Sequence, residues 1–402
     1  MHPQRIMVIA GEASGDMLAA EVVRELRRQL APSPSGPDFP PRFFGAGGPL
    51  MAAAGVELAF DLTQHAVVGL VEVLKNYAKF RRLFNQLLQL AREREPDLII
   101  CVDFGGFNRR FAHAIKQMVR RRSGPFQNWQ PKIVQYVSPQ VWASRPGRAR
   151  KMAPDLDLLL TIFPFEKAWY AARLPGFRVE FVGHPIVDRH FRSTAGALPS
   201  ARPASRSPET SSPPSVVLLP GSRRGELTRH LPVLLGAWKL IRAAFPTATA
   251  TMVLPNESLV PLARNLMNGQ SSGAPAILVG QLAETLRTAT IALASTGTVT
   301  MECAWFGVPT IALYRTSWST YQIGRRIITV KYLAMPNLLA DDVIFPEFIQ
   351  QDATPDRLAA AALELLRDPA RRAAIQKRLA GIIASLGGPG ASRRAADAIL
   401  SL

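Results

Sequence analysis

Short apolar, often β-branched runs recur along the chain, each closed by a Gly-rich or polar turn and followed by a stretch with 3.6-residue periodicity. In the first half this pattern predicts strands at 5–10, 98–103, 133–137 and 158–163, with a helix at 16–30. In the second half it predicts strands at 216–219, 249–254, 276–279, 290–294 and 310–314, separated by helices. Continuous apolar strands alternating with helices mean parallel sheets covered on both faces, so the expected class is α/β, with two Rossmann-like domains. Between the halves, residues 193–215 hold seven Ser and five Pro and no hydrophobe larger than Leu198, which reads as a flexible tether. The expected organisation is therefore domain 1–192, linker 193–215, domain 216–386 and a final helix at 391–402 whose partner the sequence does not reveal. Open parallel sheets bind ligands at the C-terminal ends of their strands, so function is expected in a cleft there.

Composition narrows the class. The 402 residues carry 48 Lys and Arg against 30 Asp and Glu, a net charge of +18, which suits polyanionic partners such as nucleic acid, an anionic membrane or phosphorylated substrates. No nucleic-acid module and no G-x-x-x-x-G-K-[ST] loop is recognisable. Only Cys101 and Cys303 occur, each in an apolar stretch, so a disulfide framework is excluded and a reducing compartment is favoured. No apolar run approaches the ~18 residues of a membrane span, no signal sequence opens the chain, and a cytoplasmic protein is expected. None of the six histidines shows metal-ligand spacing.

Four turns carry candidate chemistry. Gly11-Glu12-Ala13-Ser14-Gly15-Asp16 follows the first strand and opens a helix, and it fits either an anion- or hydroxyl-binding turn, with Glu12, Ser14 and Gly15 at the ligand, or a plain capped turn. Pro220-Gly221-Ser222-Arg223-Arg224-Gly225-Glu226 holds the equivalent place in the second half, where a forked guanidinium beside free N–H groups suits a diphosphate, the other reading being a solvated charge cluster. Thr296-Gly297-Thr298 follows a further strand, with Glu302 one turn on as an acceptor for ribose hydroxyls or as an ordinary cap. Asp103 is an acid delivered by an apolar strand, suited to general-base work or to capping the Gly105-Gly106 turn. Residues 65–90 are amphipathic, with Val67, Val68, Leu70, Val71 and Leu74 beside Lys75, Lys79, Arg81 and Arg82. That pattern suits an interfacial helix on an anionic membrane or a core-facing helix.

Taken in order, Ala10–Asp16, Val68-Gly69-Leu70-Val71-Glu72-Val73-Leu74, Tyr136-Val137-Ser138-Pro139-Gln140-Val141-Trp142-Ala143, Pro164-Phe165-Glu166-Lys167, Val182-Gly183-His184-Pro185, Leu219-Pro220-Gly221-Ser222-Arg223 and Pro336-Asn337-Leu338-Leu339-Ala340 resemble the lipid-A-disaccharide synthases along nearly the whole chain. The resemblance implies a metal-independent, cofactor-free glycosyltransferase of the two-Rossmann (GT-B) type, peripheral on the cytoplasmic face of the inner membrane. It implies UDP-2,3-diacylglucosamine as donor, 2,3-diacylglucosamine 1-phosphate as acceptor, a β-1,6 linkage formed with inversion, no nucleic acid, and a homodimer left open. By position it makes Asp103 the essential acid and Arg223 the essential arginine. Asn337 would join Gly221, Ser222, Thr296, Gly297, Thr298 and Glu302 at the UDP-sugar, while Val67, Val68, Leu70, Val71 and Leu74 would face the membrane. The chain departs from the family pattern at Gly106, Ser144 and Asp341-Asp342, positions that bear on acceptor specificity rather than reaction type. The alternatives are a related GT-B enzyme, such as another lipid-sugar transferase or a UDP-sugar epimerase, and a catalytically silent membrane-binding paralogue.

Overall fold

The computed structural model describes residues 3–31, 40–65, 77–122, 124, 128–191, 213–268 and 273–402. The chain divides into two compact units, residues 1–188 with 386–402, and residues 189–385.

The first unit is built on a seven-stranded parallel sheet comprising β1 (Arg5–Ala10), β2 (Arg42–Gly47), β3 (Glu57–Asp61), β4 (Leu98–Val102), β5 (Lys132–Tyr136), β6 (Leu158–Thr161) and β7 (Val179–Phe181). Their spatial order is β3-β2-β1-β4-β5-β6-β7. The central strands β1 and β4 pair in parallel, Ile6 with Leu98 through Ala10 with Val102, and both are apolar throughout their buried length because helices cover both faces. Met7, Ile9, Phe44, Ile99, Phe111 and Ile133 are among the side chains of the core. Strand order reverses between β1 and β4, so the crevice outside the carboxyl ends of these two strands is the topological switch point. The final helix Ala391–Leu400 belongs to this unit: it packs on the helix Ala13–Gln29, where Gln29 Nε2 donates to Asp397 Oδ1 at 2.7 Å, and Arg394 Nε donates to the Val182 carbonyl at 2.8 Å. Its partner, left open by the sequence, is thus the first unit.

The second unit has a six-stranded parallel sheet comprising β8 (Ser215–Leu219), β9 (Thr249–Leu254), β10 (Ala276–Val279), β11 (Ile291–Ser295), β12 (Thr310–Tyr314) and β13 (Glu347–Ile349), in the order β10-β9-β8-β11-β12-β13. Here the switch point lies between β8 and β11. Of the expected tether, residues 193–212 lie outside the described residues, and Ser215 already belongs to β8. The amphipathic stretch is described only from Tyr77, where the helix Tyr77–Arg94 buries Leu83 and Leu87 and exposes Lys79, Arg81 and Arg82. Val67, Val68, Leu70, Val71 and Leu74 lie outside the described residues. No helix among the described residues is long and apolar enough to cross a membrane.

Candidate active site

The sheet topology sorts the four candidate turns without reference to any motif. Gly11–Asp16 follows β1 and Asp103 follows β4, so both stand at the switch point of the first sheet. Pro220–Arg223 follows β8 and Thr296–Thr298 follows β11, so both stand at the switch point of the second.

In the first unit the strand β4 stops at Val102 because Asp103 and Phe104 both adopt left-handed backbone, with φ of 50° and 43°, and Val137 after β5 has φ of 66°. Each such residue costs about 1–3 kcal/mol, and three clustered at two adjacent strand ends mark a site held against its local preference. Two buried amides hold it. Gln135 Nε2 lies 3.0, 3.2 and 3.1 Å from the carbonyls of Asp103, Tyr136 and Val137, and Asn108 Nδ2 donates to the Asp103 carbonyl at 2.9 Å. The turn after β1 must approach closely: a Cβ on Gly11 would lie 2.3 Å from the Phe104 ring, so only glycine fits. The Ser14 hydroxyl donates to Asp103 Oδ2 at 3.5 Å.

Burial raises the Asp103 carboxyl above its ordinary range, and the Phe104 N–H and Ser14 hydroxyl offset this in part. A partly desolvated carboxylate with a raised pKa is a better proton acceptor than a solvated one. Ser14→Ala removes a hydrogen bond to the charged form, so the acidic limb of a kcat/KM–pH profile is expected to move to higher pH. An unmoved limb would show that Ser14 does not touch the titrating group. Asp16 is structural. Buried, it accepts from the backbone N–H groups of Gly48, Leu50 and Met51 at 2.7, 2.9 and 3.1 Å and caps the turn after β2.

In the second unit Gly221 has φ of 121°, which puts the Ser222 N–H and Arg223 at the start of the helix Arg224–Ala244. Glu226 Oε2 accepts from the Ser222 N–H at 2.9 Å, and its Oε1 pairs with Arg223 Nη1 at 3.1 Å. The Arg223 side chain remains 46% exposed. His230, fully buried on the same helix, ties this turn to the end of β12, two strands away in the sheet: Nδ1 donates to the Pro220 carbonyl at 2.8 Å, and Nε2 accepts from the Arg315 N–H at 2.9 Å. Burial lowers its pKa, which favours the neutral ring that this bonding requires.

Glu302, partly exposed, and Asn337, fully buried, are both held by groups of the second unit. The Glu302 carboxylate meets His190 Nε2 at 2.6 Å and Arg189 Nη1 at 3.0 Å. Burial would raise its pKa, but the hydrogen bond from His190 and the guanidinium of Arg189 outweigh that and hold it below the usual range. Asn337 is fully buried and saturated: Nδ2 donates to the Phe345 carbonyl at 2.7 Å and Glu347 Oε1 at 2.8 Å, while Oδ1 accepts from the N–H groups of Ile344 at 2.9 Å and Phe345 at 2.8 Å. An amide has four such positions, so Asn337 shapes the loop after the helix Met335–Ala340 and has no capacity left for a nucleotide. Nothing in the sequence singles out Gln135, His190 or His230; each lies in an apolar or helical run, and only tertiary proximity discloses its partners. Among the described residues no group of three His, Cys, Asp or Glu could hold a metal ion.

Residues 6–401 match the family described as lipid-A-disaccharide synthetase. The lipid-A-disaccharide synthase of Geobacter metallireducens is 36% identical over 99% of this chain and 97% of its own length, and that of Myxococcus xanthus is 34% identical over 100% and 98%. Among solved structures, the UDP-GlcNAc 2-epimerase of Neisseria meningitidis bound to UDP-GlcNAc superposes with a TM-score of 0.58 at 11% identity, covering 99% of each chain. A spinosyn rhamnosyltransferase does so with 0.57 at 15%, covering 98% of this chain and 100% of its own. These likenesses show the GT-B fold, two Rossmann-like parallel sheets. With the family model matched over residues 6–401 and relatives at 34–36% identity covered over 97–98% of their own length, the chain belongs to the lipid-A-disaccharide synthase family of glycosyltransferases.

Proposed function

We propose that the protein transfers the sugar of UDP-2,3-diacylglucosamine to the 6-hydroxyl of 2,3-diacylglucosamine 1-phosphate, forming a β-1,6 disaccharide and releasing UDP. The observation that carries this reading is that the switch point of the first sheet presents a desolvated carboxylate and that of the second sheet a guanidinium at a helix N-terminus. Asp103 takes the proton of the attacking hydroxyl, whose oxygen forms the new bond to C1 on the face opposite the nucleotide. The C1–O bond to the diphosphate breaks as its electrons move to the leaving oxygen, giving a β linkage from an α-linked donor. Arg223 and the N–H groups of the Gly221–Ser222 turn stabilise the departing diphosphate. The exposed Arg223–Glu226 pair is worth ~0–1 kcal/mol, so exchanging Glu226 for a phosphate oxygen costs little. Thr296, Gly297 and Thr298 approach the nucleotide from the adjacent strand end, and Glu302, held ionised by His190 and Arg189, keeps lone pairs for the ribose hydroxyls. Asn337 acts through the shape of its loop.

The test is UDP release measured with the donor alone and with the donor plus the phosphorylated acceptor. Release only with acceptor supports the transfer; nucleotide-sugar epimerisation without acceptor would move the reading to the epimerases that share this fold.

The same reading places Val67, Val68, Leu70, Val71 and Leu74 against a membrane surface, supported by their apolar excess and the basic residues after them. Replacing Val67, Val68 and Leu70 by Ser is expected to reduce co-sedimentation with anionic vesicles and to leave UDP binding intact. High salt should weaken vesicle binding of the parent, since each nearby Lys or Arg contributes ~1 kcal/mol that screening removes. Unfolding of the Ser variant would make the segment core instead.

A further inference from the structure

Four arginines of the first unit stand together on the segments that follow β4 and β5. Arg109 and Arg110 lie on the second turn of the helix Gly105–Arg122, which starts two residues after Asp103. Arg145 closes the short helix Val141–Ser144, and Arg148, whose N–H donates to the Arg145 carbonyl at 2.9 Å, follows one turn later. The two segments abut: a Cβ on Gly105 would lie 2.9 Å from Pro139 Cβ. The second segment is pinned by Trp142, whose Nε1 donates to buried Glu166 at 2.9 Å.

No carboxylate among the described residues answers this charge. There, none of the four guanidinium groups has a hydrogen bond or ion pair, whereas Arg5, Arg28, Arg94 and Lys116 of the same unit each have an acidic partner. Burial, followed by the charges of Arg145, Arg109 and Arg110, pushes Arg148 below its ordinary pKa. Gly106, one turn before Arg109 and Arg110, leaves open space with nothing within 4 Å of where a side chain would begin. Like charges brought together without a counter-charge cost stability, and a dianion placed among them removes that cost.

We propose that Arg109, Arg110, Arg145 and Arg148 form a subsite for a phosphate monoester, the anomeric phosphate of the acceptor sugar, which orients the acceptor hydroxyl toward Asp103. A monoester carries close to two charges and three acceptor oxygens, which match several guanidinium forks, whereas a phosphodiester headgroup offers one charge. The inference rests on the transfer reading above, and its test is chosen to separate the two.

The probe is glucosamine 1-phosphate, with glucosamine as control, titrated against the full-length protein and followed by calorimetry. The parent should bind the phosphorylated sugar alone, and Arg109→Ala with Arg148→Ala should weaken it about 10- to 100-fold while UDP affinity, the check on folding, is unchanged. In kinetics the same variant should raise the acceptor KM, and an acceptor lacking the phosphate should show no further loss in the variant. If the parent makes no disaccharide yet its phosphate binding falls in the variant, the subsite stands and the transfer reading fails. If the parent makes disaccharide and the variant keeps the acceptor KM, or loses only its binding to phosphatidylglycerol vesicles, the proposal is overturned.

Discussion

Asp103→Asn is expected to lower kcat about 10²- to 10⁴-fold with little change in UDP affinity. The exchange preserves size, and the left-handed backbone of Asp103 and Phe104 is held by contacts to the Asp103 carbonyl from Gln135 and Asn108, none of which involves the carboxylate. The fold should therefore survive while the proton acceptor is lost. The variant checks itself through turnover, a thermal melt and UDP calorimetry taken together. Near-normal turnover in a folded variant would remove Asp103 from the chemistry. The parent's kcat/KM should fall as pH drops, with an acidic limb above the usual aspartate range, because burial raises this carboxyl and only its ionised form accepts a proton. That limb should vanish in the Asn variant.

Arg223→Ala is expected to weaken UDP by the loss of charge-assisted bonds worth about 1.5–3 kcal/mol each, or roughly 10- to 150-fold per bond, and to lower turnover as well. The side chain is nearly half exposed and its ion pair with Glu226 is weak, so little of the loss comes from that pair. Arg223→Lys restores the charge without the planar fork and should fall between the two. Calorimetry on the three proteins decides the matter: equal UDP affinity in parent and Ala variant would take the guanidinium out of the nucleotide site. Because His230 fixes the Pro220 carbonyl and the Arg315 N–H, the turn itself should be unaltered in both variants.

Most strands legible in the sequence are buried on both faces, the edge strand β10 at Ala276–Val279 being an exception. β1, β4, β8 and β11 are continuous apolar runs, and their positions emerge within a residue of the structure. β2 is not legible, because Phe43-Phe44 is followed by Gly45-Ala46-Gly47 and preceded by prolines, which reads as a turn. β3, β7 and β13 are short edge strands with half-buried faces, where the pattern is weak. The strand expected at 98–103 ends one residue earlier, since nothing local announces that Asp103 turns left-handed.

The site divides along the same line. Its turns are legible because glycine, serine and arginine after an apolar run have few structural reasons to be there. Its supports are not: Gln135 acts on a carbonyl 32 positions away and His190 on a carboxylate 112 positions away, so neither leaves a trace in local spacing. Asn337 illustrates the converse, a residue whose motif suggests a ligand and whose four hydrogen bonds all close within the chain.

The most direct measurement of the central claim is the product formed from UDP-2,3-diacylglucosamine and 2,3-diacylglucosamine 1-phosphate, analysed by mass spectrometry and by the proton coupling at the new anomeric carbon. The expected product is a disaccharide 1-phosphate with a β linkage, formed in equal amount to the UDP released and only when both substrates are present. An α linkage, UDP released without the acceptor, or an epimerised sugar nucleotide as the sole product would contradict it.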